Sequence, residues 1–389
     1  MEPGTSPLRR TAAIVGIGQS DWAGDWKRTR DGQVPYEAYG YAAVAFREAL
    51  RDAGLERADV DGLIAGHTLA YERTGEVLGL DVRWGGQADL AGAILQAAMA
   101  IETGLAEVVA LVHGNNQRTA KFNYGGAGTQ GADKILAYAY HQPWGMTSQG
   151  GLYALTQRRF MEVRGYGEAD LGHIAVAQRA WAALNPAAIL RKPITLDDYL
   201  ASDYVVEPLR LLDYCLVNDG GCALILASAD RARRMNVKPV YLEAVGRHDL
   251  NRDATSLAPR LEHFYVPAQA EAGRRMFEAA GIGPRDVSLV QVYDSFSTHV
   301  ALALEGYGYC RPGELGRLLR EEGIGPGGRL PVNSSGGHLS ETFLQGWNHQ
   351  LEAVRQLRGE SGSRQVPDCR FVHYSSDIAG KAISLLYAR

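Results

Sequence analysis

The stretch Val287-Ser288-Leu289-Val290-Gln291-Val292-Tyr293-Asp294-Ser295-Phe296 decides how the chain is read. Residues 287–292 (VSLVQV) are a short, β-branched, apolar run, the pattern of a buried strand. Tyr293-Asp294-Ser295-Phe296 ends it, and an apolar helix follows. Outward from there, a helix is expected near 268–280 and strands at 240–245 (VYLEAV) and 222–227 (CALILA). On the other side come the Gly-rich turn Asn333-Ser334-Ser335-Gly336-Gly337, a helix near 343–358, and strands at 371–374 and 382–387.

The first part of the chain shows the same alternation. Residues 11–17 (TAAIVGI) form a strand-like run ended by Gly18. Ala38, Ala42, Ala45, Phe46 and Ala49 then recur at helical spacing over about 35–53, with Gly54 placed to stop the helix. Residues 60–65 are strand-like, 92–102 form an Ala-rich helix apolar on more than one face, and 107–112 (EVVALV) form a central strand after Gly104. This is α/β alternation in two similar halves, residues 1–245 and 246–389. A loop-rich insertion at about 115–210 is marked by Gly125, Gly126, Gly128, Gly131, Gly145, Gly150 and Gly151. So long an insertion is usually functional.

Composition narrows the function classes. The 389 residues carry 40 Lys+Arg against 44 Asp+Glu, and no basic cluster marks a nucleic-acid surface. No apolar stretch reaches the roughly 20 residues that span a bilayer, so no membrane span and a cytoplasmic protein are expected. Cys215, Cys222, Cys310 and Cys369 lack CxxC pairing and read as reduced, mostly buried thiols, with no metal site. Gly16-x-Gly18 lacks the rest of a dinucleotide fingerprint, and the 125–131 cluster lacks the Gly-Lys-[Ser/Thr] of a P-loop.

Several motifs occur in a fixed order: Asn185-Pro186, Pro193-Ile194-Thr195, Pro208-Leu209-Arg210-Leu211-Leu212-Asp213, and Asn218-Asp219-Gly220-Gly221. Tyr293-Asp294-Ser295-Phe296-Ser297, Asn333-Ser334-Ser335-Gly336-Gly337 and Leu357-Arg358-Gly359-Glu360 follow. Together, over essentially the whole chain, they resemble the thiolase superfamily, in its sterol-carrier-protein or lipid-transfer-protein branch. That resemblance implies a thiolase fold, two βαβαβ halves in a layered α-β-α-β-α core. It also implies a homodimer.

The chain departs from the thiolase pattern at the chemistry. The nucleophilic cysteine's position falls at about Gln87, and no cysteine lies between Met1 and Tyr214. The activating histidine's position falls at Phe343, and the terminal Cys-x-Gly region reads Tyr374-Ser375-Ser376-Asp377-Ile378-Ala379-Gly380. Without the thiol no thiolase acyl-enzyme forms. The resemblance instead points to the lipid-transfer-protein-type aldolases that cut a short acyl-CoA from the D-ring of steroid intermediates. Those enzymes work with a small OB-fold zinc-ribbon partner. Two alternatives are an inert acyl-CoA-binding scaffold subunit and a non-covalent acyltransferase.

A retro-aldol step needs a base, an oxyanion site and a proton donor, but no cofactor on this chain, since CoA is part of the substrate. Tyr293 takes the place of the family's active-site His or Asn. It can donate a proton or a hydrogen bond, act as a base if its pKa is depressed, or simply be a packed tyrosine. Asp294 either orients Tyr293 or caps a helix. His299 and His338 suit proton transfer at neutral pH, against ordinary buried histidines. Gly336 and Gly337, and the segment at Gln87, can offer N–H groups to a thioester oxygen, and Phe343 would line the substrate pocket. Arg118, Lys121, Arg158, Arg159 and Arg191 suit CoA phosphates or are solvated surface charges. His113, His248 and His373 read as structural.

Overall fold

The computed structural model describes residues 7–88, 90–122, 142–146, 148–253, 258–378 and 380–389. The glycines at 125–131, Asp89 and Ala379 lie outside the described residues. Strand β1 (Ala12–Gln19) is followed by helix α1 (Ala38–Ala53), which ends at Gly54 in the left-handed region (φ 63°). Gly18 is required by this pair, because a Cβ there would collide with the backbone of Ala45 on α1. The Gly-x-Gly spacing therefore serves helix-on-strand packing. Strands β2 (Gly62–Ala65) and β3 (Trp84–Gln87), helix α2 (Leu90–Glu102), and strand β4 (Val108–Asn116) come next. The insertion contributes helices α3 (Gln149–Arg164) and α4 (Glu168–Ala183) before strand β5 (Asp219–Ser228) closes the first half.

The second half runs through β6 (Val240–Asp249), α5 (Val266–Ala280), β7 (Leu289–Val292), α6 (Ser297–Gly306), α7 (Trp347–Arg358), β8 (Phe371–Ile378) and β9 (Lys381–Ala388). The expected division after residue 245 falls within β6. These nine strands form one sheet in the order β3-β2-β4-β5-β1-β6-β9-β8-β7, and a separate two-stranded sheet pairs Tyr204–Val206 with Leu209–Arg210. The halves meet at a short antiparallel seam, Ala13 against Tyr241 and Ile14 against Val240.

Pairing repeats across that seam. β2 and β4 are parallel, as are β7 and β8, while β4 with β5 and β8 with β9 are antiparallel. A parallel bridge from Val290 to Val332 stands where β3 stands in the first half. The turn at 333–337 thus occupies, in the second half, the place that leads from β3 into α2 in the first.

Strands covered on both faces explain the near-continuous apolar runs. Ile14, Leu111, Leu224, Val372, Leu385 and Tyr387 pack with α2 and α7 in a central layer. Ala13, Val15, Ala110 and Ile225 face α1, whereas Val290, Val292 and Leu386 face α5 and α6. The result is the layered α-β-α-β-α arrangement. Arg358 ties the end of α7 to the first half, donating to Asp52 (2.7 Å) and to the carbonyls of Val15 (2.9 Å) and Lys238 (3.0 Å).

Candidate active site

Three buried clamps build the site. Asn333 has left-handed backbone (φ 49°), and its side-chain amide clasps the end of β7, accepting from Val292 N–H (2.7 Å) and donating to Val292 C=O (3.0 Å). Asp213, which ends the motif Pro208-Leu209-Arg210-Leu211-Leu212-Asp213, accepts from Ser297 Oγ (2.5 Å), Tyr199 OH (2.9 Å) and Arg210 N–H (2.8 Å), which fixes the insertion to the start of α6. Asn218 accepts from the N–H of Phe343 (2.7 Å) and donates to Thr342 Oγ1 (2.7 Å). Motifs that read as family signatures are therefore clamps between the insertion, β7 and the glycine turn.

These clamps bring Tyr293, Asp294, His299, His338 and Phe343 together. The Tyr293 ring lies 5.0 Å from that of His338 and 5.5 Å from that of His299, both edge-to-face. Phe343 is 4.9 Å from His338. The Tyr153 ring on α3 lies 4.4 Å from that of His299, tilted by 31°, and the Arg260 guanidinium lies 4.8 Å over Tyr153.

Asp294 faces the glycine turn. It accepts from the backbone N–H of His338 (2.9 Å) and from Nε2 of His349 (2.7 Å). The sequence offers two readings of Asp294, orienting Tyr293 or capping the following helix; its hydrogen-bond partners here are a backbone amide and a histidine on α7, and the N-cap of α6 is Phe296. Nε2 of His338 lies 2.9 Å from Gly346 N–H and 3.1 Å from Asn348 Oδ1, and its Nδ1 stands 3.3 Å from Asp294 Oδ1. Asp294, His338 and His349 hold ligand-type atoms within 4.8 Å of one another. Hydrogen bonding among them and to the turn accounts for that geometry.

The expected oxyanion role of the glycines changes in detail. Gly336 N–H donates to the carbonyl of Asn333 (2.8 Å), so it is not free for a thioester oxygen. Gly336 (φ 104°) is required for another reason: a Cβ there would lie 2.6 Å from that of Ala182 on α4. A Cβ on Gly337 (φ 58°) would press on the Asp294 carboxylate. Gln87 stands at the exposed end of β3, donating to the Leu69 carbonyl (2.5 Å); among the described residues, no hydrogen bond or ring contact joins it to the Tyr293 cluster. Arg158 and Arg159 pair with Glu207 and Glu162, and Arg118 lies over the Trp26 ring. His113 stacks on Trp347, and His373 meets Tyr309 OH (2.8 Å).

Burial sets the protonation states. It drives the Tyr293 phenol well above its ordinary value, so the group is held as a phenol. Burial, with the Arg260 charge second, lowers His299 to about 3, and burial also takes His338 well below its ordinary range. Both imidazoles are neutral in this pocket. Cys215, whose N–H donates to the Ser295 carbonyl (3.1 Å), is raised by burial and by Asp294 and stays a thiol. The pocket thus offers neutral acceptors and a phenolic donor, with environments pushed in opposite directions.

Ser295, His349, Tyr153 and Arg260 were not singled out from sequence. The spacing of Ser295 and His299 at i and i+4 was the available signal for the first. Nothing local to Trp347-Asn348-His349 marks the second, since it reaches Asp294 only through the tertiary fold.

Comparison with known proteins follows this geometry. Residues 253–387 match the family described as Thiolase C-terminal domain-like. The chain is 35% identical over 371 residues to a steroid side-chain-cleaving aldolase of Thermomonospora curvata, covering 92% of each chain. It is 35% identical over 375 residues to a 17-hydroxy-3-oxo-4-pregnene-20-carboxyl-CoA lyase of Mycobacterium tuberculosis, covering 91% of this chain and 93% of the relative. The solved Ltp2-ChsH2(DUF35) aldolase superposes with a TM-score of 0.86 at 31% identity, over 98% of this chain and 99% of that one. The chain belongs to the thiolase superfamily, in the sterol-carrier-protein-type branch of steroid side-chain-cleaving aldolases.

Proposed function

We propose that this chain is a retro-aldol carbon–carbon lyase that cleaves a bulky, steroid-derived β-hydroxyacyl-CoA into a ketone and a short acyl-CoA. The observation that carries it is the meeting of a phenol, Tyr293, with two neutral imidazoles, His299 and His338, in a buried cluster where Cys215 is held as a thiol. The lyase of Mycobacterium tuberculosis acts on a compound whose 17-hydroxyl is β to the thioester carbonyl, the arrangement that this cleavage needs.

In the step, the β-hydroxyl loses its proton, the Cα–Cβ bond breaks, and its electron pair enters the thioester as an enolate while the ketone forms. Protonation at Cα then gives the shortened acyl-CoA. The atoms balance without an oxidant or reductant, and we assign no cofactor to this chain. We assign Tyr293 to face the reacting carbons, His299 to act as the base, and His338 with Phe343 to bound the substrate site. Asp294 holds the His338 segment in position.

A small OB-fold zinc-ribbon partner is proposed by analogy with the DUF35 chain of the solved aldolase. We also propose a homodimer and a cytoplasmic location; among the described residues, no helix is long and apolar enough to cross a membrane. Intact-protein mass spectrometry during turnover tests the nucleophile-free mechanism. The protein mass should stay unchanged, and an acyl adduct on any residue would overturn it.

A further inference from the structure

We propose that the cavity at the far end of α6 is a second binding site, which takes an amphipathic carboxylate, an apolar body ended by an acid group. The cavity is distinct from the catalytic cluster. Tyr293 follows the end of β7, and His299 stands in the first turn of α6. The cavity is lined instead by Val287, which precedes β7, and by Glu305 and Tyr309, at and beyond the end of α6. The two sites therefore lie at opposite ends of one strand and one helix. The inference goes beyond the lyase function and does not depend on it.

Size and floor bound the ligand. The cavity holds about 1020 Å³, room for several fused rings or a long chain. Its floor is apolar, since Val287, Leu318, Leu330 and Tyr309 line it and are buried. Tyr309 engages Nδ1 of His373 through its hydroxyl (2.8 Å), and burial lifts the Cys310 thiol to about 12, so neither adds a charge. A small, strongly hydrated ion would leave this floor bare.

The rim supplies the charge. Arg317 and Arg329 both pair with Glu322. Arg285 and Arg311 are exposed on the same rim, and among the described residues neither guanidinium has an ion pair or a hydrogen bond. Glu305, the buried acid of the wall, accepts from Tyr166 OH (2.7 Å), Arg164 Nε (2.8 Å) and Gly313 N–H (3.3 Å), so its charge is already met. That leaves four arginines against Glu314 and Glu322, a surplus of two positive charges. A guanidinium holds a carboxylate through two parallel N–H donors, and Arg285 and Arg311 have all of theirs to give. The two rim glutamates disfavour a densely charged head such as a diphosphate.

Isothermal titration of the full chain tests the site with cholate, dodecanoate and inorganic pyrophosphate, the first two below their micelle concentrations. At least one of the two carboxylates should bind; cholate alone would mark a polycyclic body, and dodecanoate alone a chain. Arg285→Ala and Arg311→Ala should each weaken that binding by about 10-fold or more, and added salt should weaken it in wild type. Glu314→Gln should tighten it. Both arginines are exposed, so thermal unfolding of the variants should match wild type. Failure of both carboxylates to bind, or tighter binding of pyrophosphate, would overturn the proposal. Carboxylate binding that is equal in wild type and in the double variant Arg285→Ala/Arg311→Ala would lie elsewhere, the catalytic cluster included, and would overturn it as well.

Discussion

The carboxylate of Asp294 accepts the backbone N–H of His338 at 2.9 Å, which locks the end of β7 to the glycine turn. The same carboxylate takes Nε2 of His349 at 2.7 Å, so one buried group joins β7, the turn and α7. Removing it leaves an unpaired buried amide and imidazole. Asp294→Ala should therefore cost about 2–4 kcal/mol of stability, read as a shift of the urea midpoint. A midpoint equal to that of wild type would show that the turn is held by other means.

Tyr293 tests the chemistry apart from the fold. The Tyr293→Phe change keeps the ring contacts to His299 and His338 and removes only the hydroxyl. Turnover should fall by about 100-fold or more, with thermal unfolding close to wild type. Near-full activity would remove Tyr293 from the mechanism.

Glycine substitutions discriminate between positions of equal backbone conformation. Gly337 (φ 58°) has the Asp294 carboxylate where a Cβ would go, whereas Gly359 (φ 75°) has open space. Gly359→Ala should cost about 1 kcal/mol, as expected for a left-handed position alone. Gly337→Ala should cost several times more and abolish turnover. Equal losses in denaturation experiments would contradict the contact argument.

The pH dependence of stability has two opposing parts. His299 and His373 are each lowered by burial to about 3, below the ordinary value of 6.5. As pH falls from 6.5 towards 3 the unfolded chain takes up protons that the folded chain refuses, so stability is lost in that window. Asp377 runs the other way, because burial raises it to about 7 against an ordinary 3.8. Its contribution is fully present below 3.8 and is lost as pH rises to 7. Asp377→Asn should therefore gain on wild type by up to about 4 kcal/mol between pH 4 and pH 8. Gln269 can turn its amide to pair with the new side chain. Parallel urea midpoints at the two pH values would contradict the raised carboxyl.

Much of the fold was legible because both faces of its strands are covered. CALILA is apolar throughout, VSLVQV is broken only by Ser288 and Gln291, and the stripe from Ala38 to Ala49 is the face that α1 lays on the sheet. Short elements escaped. The strand Trp84–Gln87 contains two glycines and no apolar run, and it forms because β2 supplies its partners. At the site, Tyr293, Asp294, His299, His338 and Phe343 were legible from their place in ordered motifs. The actual duties of the turn were not. Gly336 N–H is spent on Asn333, and Asp294 serves His349, a residue that sequence separation hides completely. Such long-range polar pairs leave no local periodicity to read.

The central claim is carbon–carbon lysis, and product stoichiometry tests it most directly. The purified chain, alone and with a candidate OB-fold partner, would be incubated with a steroid β-hydroxyacyl-CoA while ketone and shortened acyl-CoA are quantified together. The account predicts that both products appear in equal amounts and that no free CoA is consumed. Binding of the thioester without either product, in both preparations, would contradict it.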